Sequence, residues 1–306
     1  MGSWRDSLAA VEGLRLRWDE PLARYTSYKI GGPADAFAQA DTVKQLERVA
    51  QIAREYETPI MIIGRGSNLL ISDKGIRGIV LKLGKIFEEI SFERDTALSG
   101  CAALMSAFSK RCAVEGLSGA EFMFGIPGSV GGGVCMNAGA HGQSMSDIVA
   151  SVDVLEWSGH TKRVERDELG FRYRGSCIGE YMCALFCRFE MERGDPTAIE
   201  ALRKRYYAER RASQPLSLPS AGCAFRNPDV SSAGRLIDEC GLKGLTIGGV
   251  QVSERHANFL VASANASSTD VRRLVEEVRR RVHAETGVWL QLEMKILNEH
   301  AEATDE

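Results

Sequence analysis

The stretch that most constrains this chain is Gly125-Ile126-Pro127-Gly128-Ser129-Val130-Gly131-Gly132-Gly133, which continues into Met136-Asn137-Ala138-Gly139-Ala140. Five of its first nine residues are glycine. Glycine lacks a Cβ and tolerates positive φ, so backbone can approach another group closely. Successive amides in such a loop can converge on an anion, usually a phosphate. Pro127 fixes φ and stiffens the approach. The run is apolar apart from Ser129 and Asn137, which is not the composition of a flexible linker. Two readings follow, a tight turn between packed elements or a phosphate cradle.

A second loop of the same kind favours the cradle. Ile62-Ile63-Gly64-Arg65-Gly66-Ser67-Asn68-Leu69-Leu70 follows an apolar run at 60–63 that predicts a buried strand. It is not the dinucleotide fingerprint G-x-G-x-x-G, because Leu69 stands at the last glycine position. A third, weaker turn is Ile30-Gly31-Gly32-Pro33-Ala34-Asp35. Three such turns beside apolar segments imply one extended diphosphate ligand held by backbone from several loops.

With Thr26-Ser27-Tyr28-Lys29-Ile30-Gly31-Gly32-Pro33-Ala34 added, these motifs resemble the UDP-N-acetylenolpyruvoylglucosamine reductase (MurB) family of flavoenzymes, in its shorter subtype. The resemblance runs from Tyr25 to Ile296, with several separate motifs in order. It implies an α+β fold: a FAD-binding region of the PCMH, or vanillyl-alcohol-oxidase, type in two subdomains, then a smaller α+β substrate domain. The expected division is an N-terminal extension at 1–23, the FAD region at 24–193 and the substrate domain at 194–306. The second boundary rests on the turn cluster Arg193-Gly194-Asp195-Pro196.

The family reaction uses NADPH to reduce FAD, after which hydride reaches the enolpyruvyl double bond of UDP-N-acetylglucosamine enolpyruvate and UDP-N-acetylmuramate forms for peptidoglycan. Motif by motif, the resemblance assigns cofactor binding to Gly31, Gly32, Gly64, Arg65, Gly66, Ser67 and Asn68. In the central loop it adds Gly125, Pro127, Gly128, Ser129, Gly131, Gly132, Asn137, Ala138 and Gly139. No histidine in these loops argues for a covalent flavin, so non-covalent FAD is expected.

Three positions carry the expected chemistry. Arg174, in Phe171-Arg172-Tyr173-Arg174-Gly175-Ser176, matches the family arginine beside flavin and substrate. Its guanidinium stays protonated and offers a planar fork to a carboxylate or enolate. Without the resemblance it would be an ordinary exposed arginine. Cys223, in Pro219-Ser220-Ala221-Gly222-Cys223-Ala224-Phe225-Arg226-Asn227-Pro228, stands where the family's proton donor is normally serine. A free thiol titrates near about 8.5, far below an alcohol, so it is the better acid. Otherwise Cys223 is a small buried residue. Glu293, in Leu290-Gln291-Leu292-Glu293-Met294-Lys295, matches the acidic residue that assists catalysis, while Gln291 replaces an earlier acidic position. Otherwise it is a solvent-facing strand residue.

The resemblance also assigns substrate contacts to Tyr173, Arg211, Gln214, Asn227, Lys243, Gln251 and His256. Arg210, Pro215, Ser253 and Asn258 flank them without a ranking, and Arg235 stays ambiguous. Another FAD-dependent oxidase and a non-catalytic flavin or nucleotide-sugar binder stay open as alternatives. The first would lack the Cys223 and Glu293 segments; the second draws support from the cysteine at the donor position.

Composition excludes other classes. The net charge of −3 gives no reason to expect nucleic acid. No apolar run approaches the roughly 20 residues that span a bilayer, and the N-terminus lacks a signal-peptide pattern. The eight cysteines form no C-x-x-C pair, so neither a disulfide framework nor a metal site is expected. A cytoplasmic monomer with a nucleotide-sugar substrate and no membrane partner is the expectation.

Local patterns predict strands at 36–38, 60–63, 79–83, 97–99, 152–156, 184–189 and 288–296. Helices are predicted at 43–53 behind Asp41-Thr42, at 103–114 ended by Gly116, at 199–211, at 231–240 ended by Gly241, and over 271–282. Residues 1–23 read as a helix and linker.

Overall fold

The computed structural model describes residues 3–304, and the chain separates into two compact units. One comprises residues 1–17, 37–65 and 79–210; the other comprises 18–36, 66–78 and 211–306. The turn at 193–196 falls inside the first unit rather than at its end.

The first unit is built on a five-stranded antiparallel sheet. Its strands run in the order Thr161–Glu165, Val149–Leu155, Cys183–Glu190, Thr96–Gly100 and Ile90–Glu93. Val152, Val154, Cys187 and Phe189 are buried, and Phe189 meets Phe108 of the Met105–Val114 helix at 4.4 Å between rings. The Ile60–Ile62 strand pairs in parallel with residues 79–81. The Val43–Glu55 helix starts where Thr42 accepts from the Gln45 amide and Gln45 returns the bond. Its buried face is Leu46, Val49, Ala50, Ile52 and Ala53, at helical spacing.

The second unit packs around the Ser268–Thr286 helix, whose Val271, Leu274, Val275, Val278 and Val282 are all buried. Tyr28, Ile30 and Leu70 from the early segments lie in the same core. Tyr28 is 1% exposed, and its hydroxyl donates to the Leu260 carbonyl at 2.8 Å, which satisfies a polar atom that would be costly to bury alone. A three-stranded antiparallel sheet of Thr246–Ile247, Val250–Val252 and Leu260–Ala262 covers one side. Leu69–Ile71 pairs in parallel with Lys295–Leu297. Asp73 caps the long helix from another segment: its carboxylate accepts from the Ser268 amide at 2.9 and 3.0 Å and from Ser268 Oγ at 2.8 Å.

Two expectations need correction. The N-terminal region holds a helix at Trp4–Ala9 and also a strand at Arg15–Pro21, where a linker was expected. Its mixed polar pattern hid the strand, because most of its residues face solvent. The expected strand at 288–296 is ladder-bonded only over Lys295–Leu297. Its burial still alternates, with Leu290, Leu292, Met294 and Ile296 inside. Its bonding partners change along the way: the Gln291 carbonyl accepts from Arg226 N–H, Glu293 N–H donates to the Ala224 carbonyl, and Lys295 N–H donates to the Asn68 carbonyl. A segment handed between two neighbours cannot form one continuous ladder. Among the described residues, no helix is long and apolar enough to cross a membrane.

Candidate active site

In the first unit the two glycine-rich loops meet. A Cβ on Gly64 would stand 2.6 Å from Ser129 Oγ, so the bare backbone of one loop lies against the other. Ser129 is buried and caps the short Val130–Cys135 helix by accepting from the Gly132 amide at 3.3 Å. The loop therefore turns helical halfway. Within that turn Gly131 and Gly133 serve packing. Their Cβ atoms would lie 2.8 Å from Cys101 Cβ and 2.7 Å from Met105 Sδ, and the Gly131 amide already donates to the Cys101 carbonyl. Gly64, Arg65, Pro127 and Gly132 are exposed. The resulting surface is glycine backbone with one cation beside it, which suits a diphosphate.

The entrance to that loop is braced by a buried arginine. Arg203 is 5% exposed on the Pro196–Ser213 helix, holds Glu200 by two bonds of 2.7 and 2.9 Å, and covers the Phe124 ring at 3.8 Å. Phe124 in turn meets Tyr207 at 5.0 Å between rings, and a Cβ on Gly125 would lie 2.9 Å from the Tyr207 ring. Arg203 reads in sequence as one charge among many on a charged helix, and nothing in that pattern marks it as buried.

Arg174 sits at the tip of a tight turn. The Arg172 and Gly175 backbones exchange both bonds, at 3.0 and 3.1 Å, across Tyr173 and Arg174. Arg174 has φ of 57°, the left-handed region that side chains disfavour. Non-glycine residues held there are enriched at functional sites, where the surroundings over-determine them. Its guanidinium lies 5.0 Å from the half-exposed Tyr173 ring. Asn137 anchors the turn: its Nδ2 donates to the Arg172 carbonyl at 3.2 Å, and its Oδ1 accepts from the Ser146 amide at 3.0 Å. Asn137 thus ties the end of the central glycine stretch to the Arg174 turn.

Within the second unit, the Cys223 and Glu293 segments are neighbours. Glu293 N–H donates to the Ala224 carbonyl at 2.9 Å, and Cys223 bridges to Phe259 on its other side. Both residues are half-buried. Gly222, at φ of 76°, lets the chain turn immediately before the cysteine. Most other cysteines are set apart from this site by burial, which pushes the Cys112 and Cys183 thiols up to about 12 and the Cys101 and Cys187 thiols upward as well.

Of the expected substrate contacts in this unit, several have structural partners. Asn227 Oδ1 accepts from the Ala233 amide at 3.0 Å, at the start of the Ala233–Glu239 helix. Lys243 Nζ lies 2.6 Å from Asp238, and Gln251 Nε2 donates to the Gly244 carbonyl at 3.3 Å. His256 accepts from the Asn258 amide at 3.3 Å and meets the Phe259 ring edge-on. Arg211 is exposed, and its carbonyl accepts from Arg255 at 3.3 Å. Gln214 is half-buried, and its buried Oε1 has no hydrogen-bond partner among the described residues. Gly32 and Gly66 are close-approach glycines: a Cβ on the first would collide with backbone of Asp73 and Gly75, and one on the second with Tyr25 and Thr26.

Comparison with known proteins fixes the class first. Residues 34–165 match the FAD binding domain profile, so the glycine loops of the first unit belong to a flavoprotein domain. Residues 214–297, which contain Cys223 and Glu293, match the profile of the UDP-N-acetylenolpyruvoylglucosamine reductase C-terminal domain. The UDP-N-acetylenolpyruvoylglucosamine reductase of Heliobacterium modesticaldum is 44% identical over 290 residues, covering 94% of this chain and 92% of its own. That of Clostridioides difficile is 41% identical over 287 residues, covering 93% and 94%. The crystal structure of the Thermus caldophilus enzyme (MurB) superposes with a TM-score of 0.78 at 34% identity, over 92% of this chain and 98% of that one. The chain belongs to the UDP-N-acetylenolpyruvoylglucosamine reductase family of oxidoreductases.

Proposed function

We propose that this chain catalyses the NADPH-dependent, FAD-mediated reduction of UDP-N-acetylglucosamine enolpyruvate to UDP-N-acetylmuramate, in peptidoglycan synthesis in the cytoplasm. FAD binding belongs to 24–193 and substrate binding to 194–306, and the protein acts as a monomer. The observation that carries the reading is the backbone bond from Glu293 to Ala224, which sets a carboxyl group beside a thiol-bearing segment in the domain that matches the family's own.

When bound, FAD supplies the hydride relay between NADPH and the enolpyruvyl double bond. Gly64, Arg65, Gly66, Ser67, Gly125, Gly128, Ser129 and Gly132 would hold its diphosphate and neighbouring groups by backbone and by the Arg65 cation. The protein's own chemistry is electrostatic and acid–base. Hydride addition to the terminal carbon leaves negative charge on the carbon beside the substrate carboxylate, as an enolate. Arg174 and Glu293 stabilise that enolate, Arg174 by a fixed cation and Glu293 by a hydrogen bond or proton. The Cys223 thiol delivers its proton to the enolate carbon, and the thiolate is reprotonated from solvent. Tyr173, Arg211, Gln214, Asn227, Lys243, Gln251 and His256 hold the nucleotide sugar.

An anaerobic absorption experiment tests this. The flavin band of the reconstituted protein should bleach with NADPH and return on addition of the enolpyruvyl substrate. A band that bleaches but does not return points to another oxidoreductase, and failure to take up FAD removes the reading of the glycine loops.

A further inference from the structure

We infer that Asn258 is a positioning residue for the proton donor, acting as a substitute strand for the Cys223 segment. The inference rests on the proposed role of Cys223. Asn258 is 2% exposed. Its Oδ1 accepts from the Phe225 amide at 2.9 Å, and its Nδ2 donates to the Phe225 carbonyl at 2.8 Å. Its own carbonyl accepts from the Ala224 amide at 2.8 Å. One residue therefore makes three bonds to two consecutive residues, immediately after Cys223.

The local topology explains why a side chain is needed. The segment after Gly222 meets the 256–260 segment through a single bridge, Cys223 to Phe259, and the 290–294 segment through another, Phe225 to Leu292. No regular ladder runs on either side. Phe225 is fully buried, so its N–H and C=O need partners inside the protein. The primary amide supplies one donor and one acceptor with the spacing of a peptide group, which a carboxylate or an aliphatic side chain cannot do. The same strip carries the Ala224 carbonyl that binds Glu293 N–H. Asn258 thus sets the path of the backbone between the thiol and the carboxylate. Asn258 itself is braced by the hydrogen bond that its backbone N–H donates to His256 Nδ1, and the His256 ring packs 3.3 Å from the Cβ position of Gly234.

The informative variant is Asn258→Asp. It keeps the acceptor toward Phe225 N–H but turns a second oxygen toward the Phe225 carbonyl. Displacing a reacting group by about an ångström costs on the order of 10²-fold in rate, so reoxidation of the flavin by substrate should fall by about that factor at neutral pH. NADPH bleaching should stay within about twofold, because the variant leaves hydride delivery to the cofactor alone. As pH falls and the new carboxyl protonates, it regains a donor, and the ratio of variant to parent rate should climb back. Asn258→Gly should lose the same step with no such recovery. Substrate-independent confirmation comes from iodoacetamide alkylation of Cys223 in the flavin-free protein, followed by peptide mass, which should change in rate in both variants. Unchanged reoxidation and alkylation in folded variants overturn the inference. Should the variants not fold, hydrogen exchange on the unaltered chain decides: a Phe225 amide as protected as that of Ala224 supports it, and fast exchange overturns it. If the parent protein is not reoxidised by substrate, the reductase reading fails separately, and the alkylation and exchange results still judge Asn258.

Discussion

Replacing Arg174 by glycine and by alanine separates the residue's conformation from its charge. Both variants lose the guanidinium and every contact it makes, including the 5.0 Å approach to Tyr173, so these losses cancel between them. What differs is the backbone at φ of 57°. A Cβ in the left-handed region costs about 1–2 kcal/mol, which glycine escapes. Glycine gives back about 0.5–1 kcal/mol through its freer unfolded chain. The glycine variant should therefore be more stable than the alanine variant by about 1 kcal/mol, read from urea unfolding at matched slopes. Both should lose about 10²–10³-fold in reoxidation of the flavin by substrate, the usual cost of removing one oxyanion-stabilising donor, with NADPH bleaching retained. An alanine variant as stable as the glycine one would refute the strain argument. Full substrate reoxidation in either would remove Arg174 from the chemistry.

Cys223→Ser should keep substantial turnover, since a hydroxyl can take the thiol's place, whereas Cys223→Ala should bleach with NADPH and fail to reoxidise; loss of both half-reactions in the alanine variant would make the residue structural. Glu293→Gln should slow only the second half-reaction, and stopped-flow traces matching the parent would dismiss its role. Asp73→Ala removes the cap on the Ser268–Thr286 helix and should cost about 1–2 kcal/mol in thermal or urea unfolding; no change would mean that Ser267 and Asp270 cap that helix unaided.

Much of the fold was legible in sequence because helix ends depend on local signals. Thr42, Gly116 and Gly241 mark helix ends through capping physics, and each falls where a helix begins or stops. Glycine spacing located the loops, but it could not tell backbone offered to a ligand from backbone packed on a neighbour. Gly131 and Gly133 lie against Cys101 and Met105, residues some thirty positions earlier in the chain. The bonds that organise the Cys223 segment were invisible for the same reason. Asn258 and Phe225 are 33 residues apart, and no period or motif links an asparagine to a distant peptide group. Burial of Arg203 likewise depends on Phe124 arriving beneath it.

The second unit is assembled from three separate stretches of chain, and this has a consequence for synthesis. Tyr28, Ile30 and Leu70 leave the ribosome long before the helix they pack on, and the strand at Leu69–Ile71 waits for Lys295–Leu297. At about 5–20 residues per second, that wait lasts on the order of tens of seconds. During it, a patch of apolar chain has no native partner, and only a chain made past Leu297 can close the unit. The waiting strand is just three residues long, and so short an edge offers other nascent chains little to pair with. A C-terminal fragment starting at residue 194 would lack three of its own core side chains, so the Cys223 and Glu293 segments cannot be inherited as a detachable module.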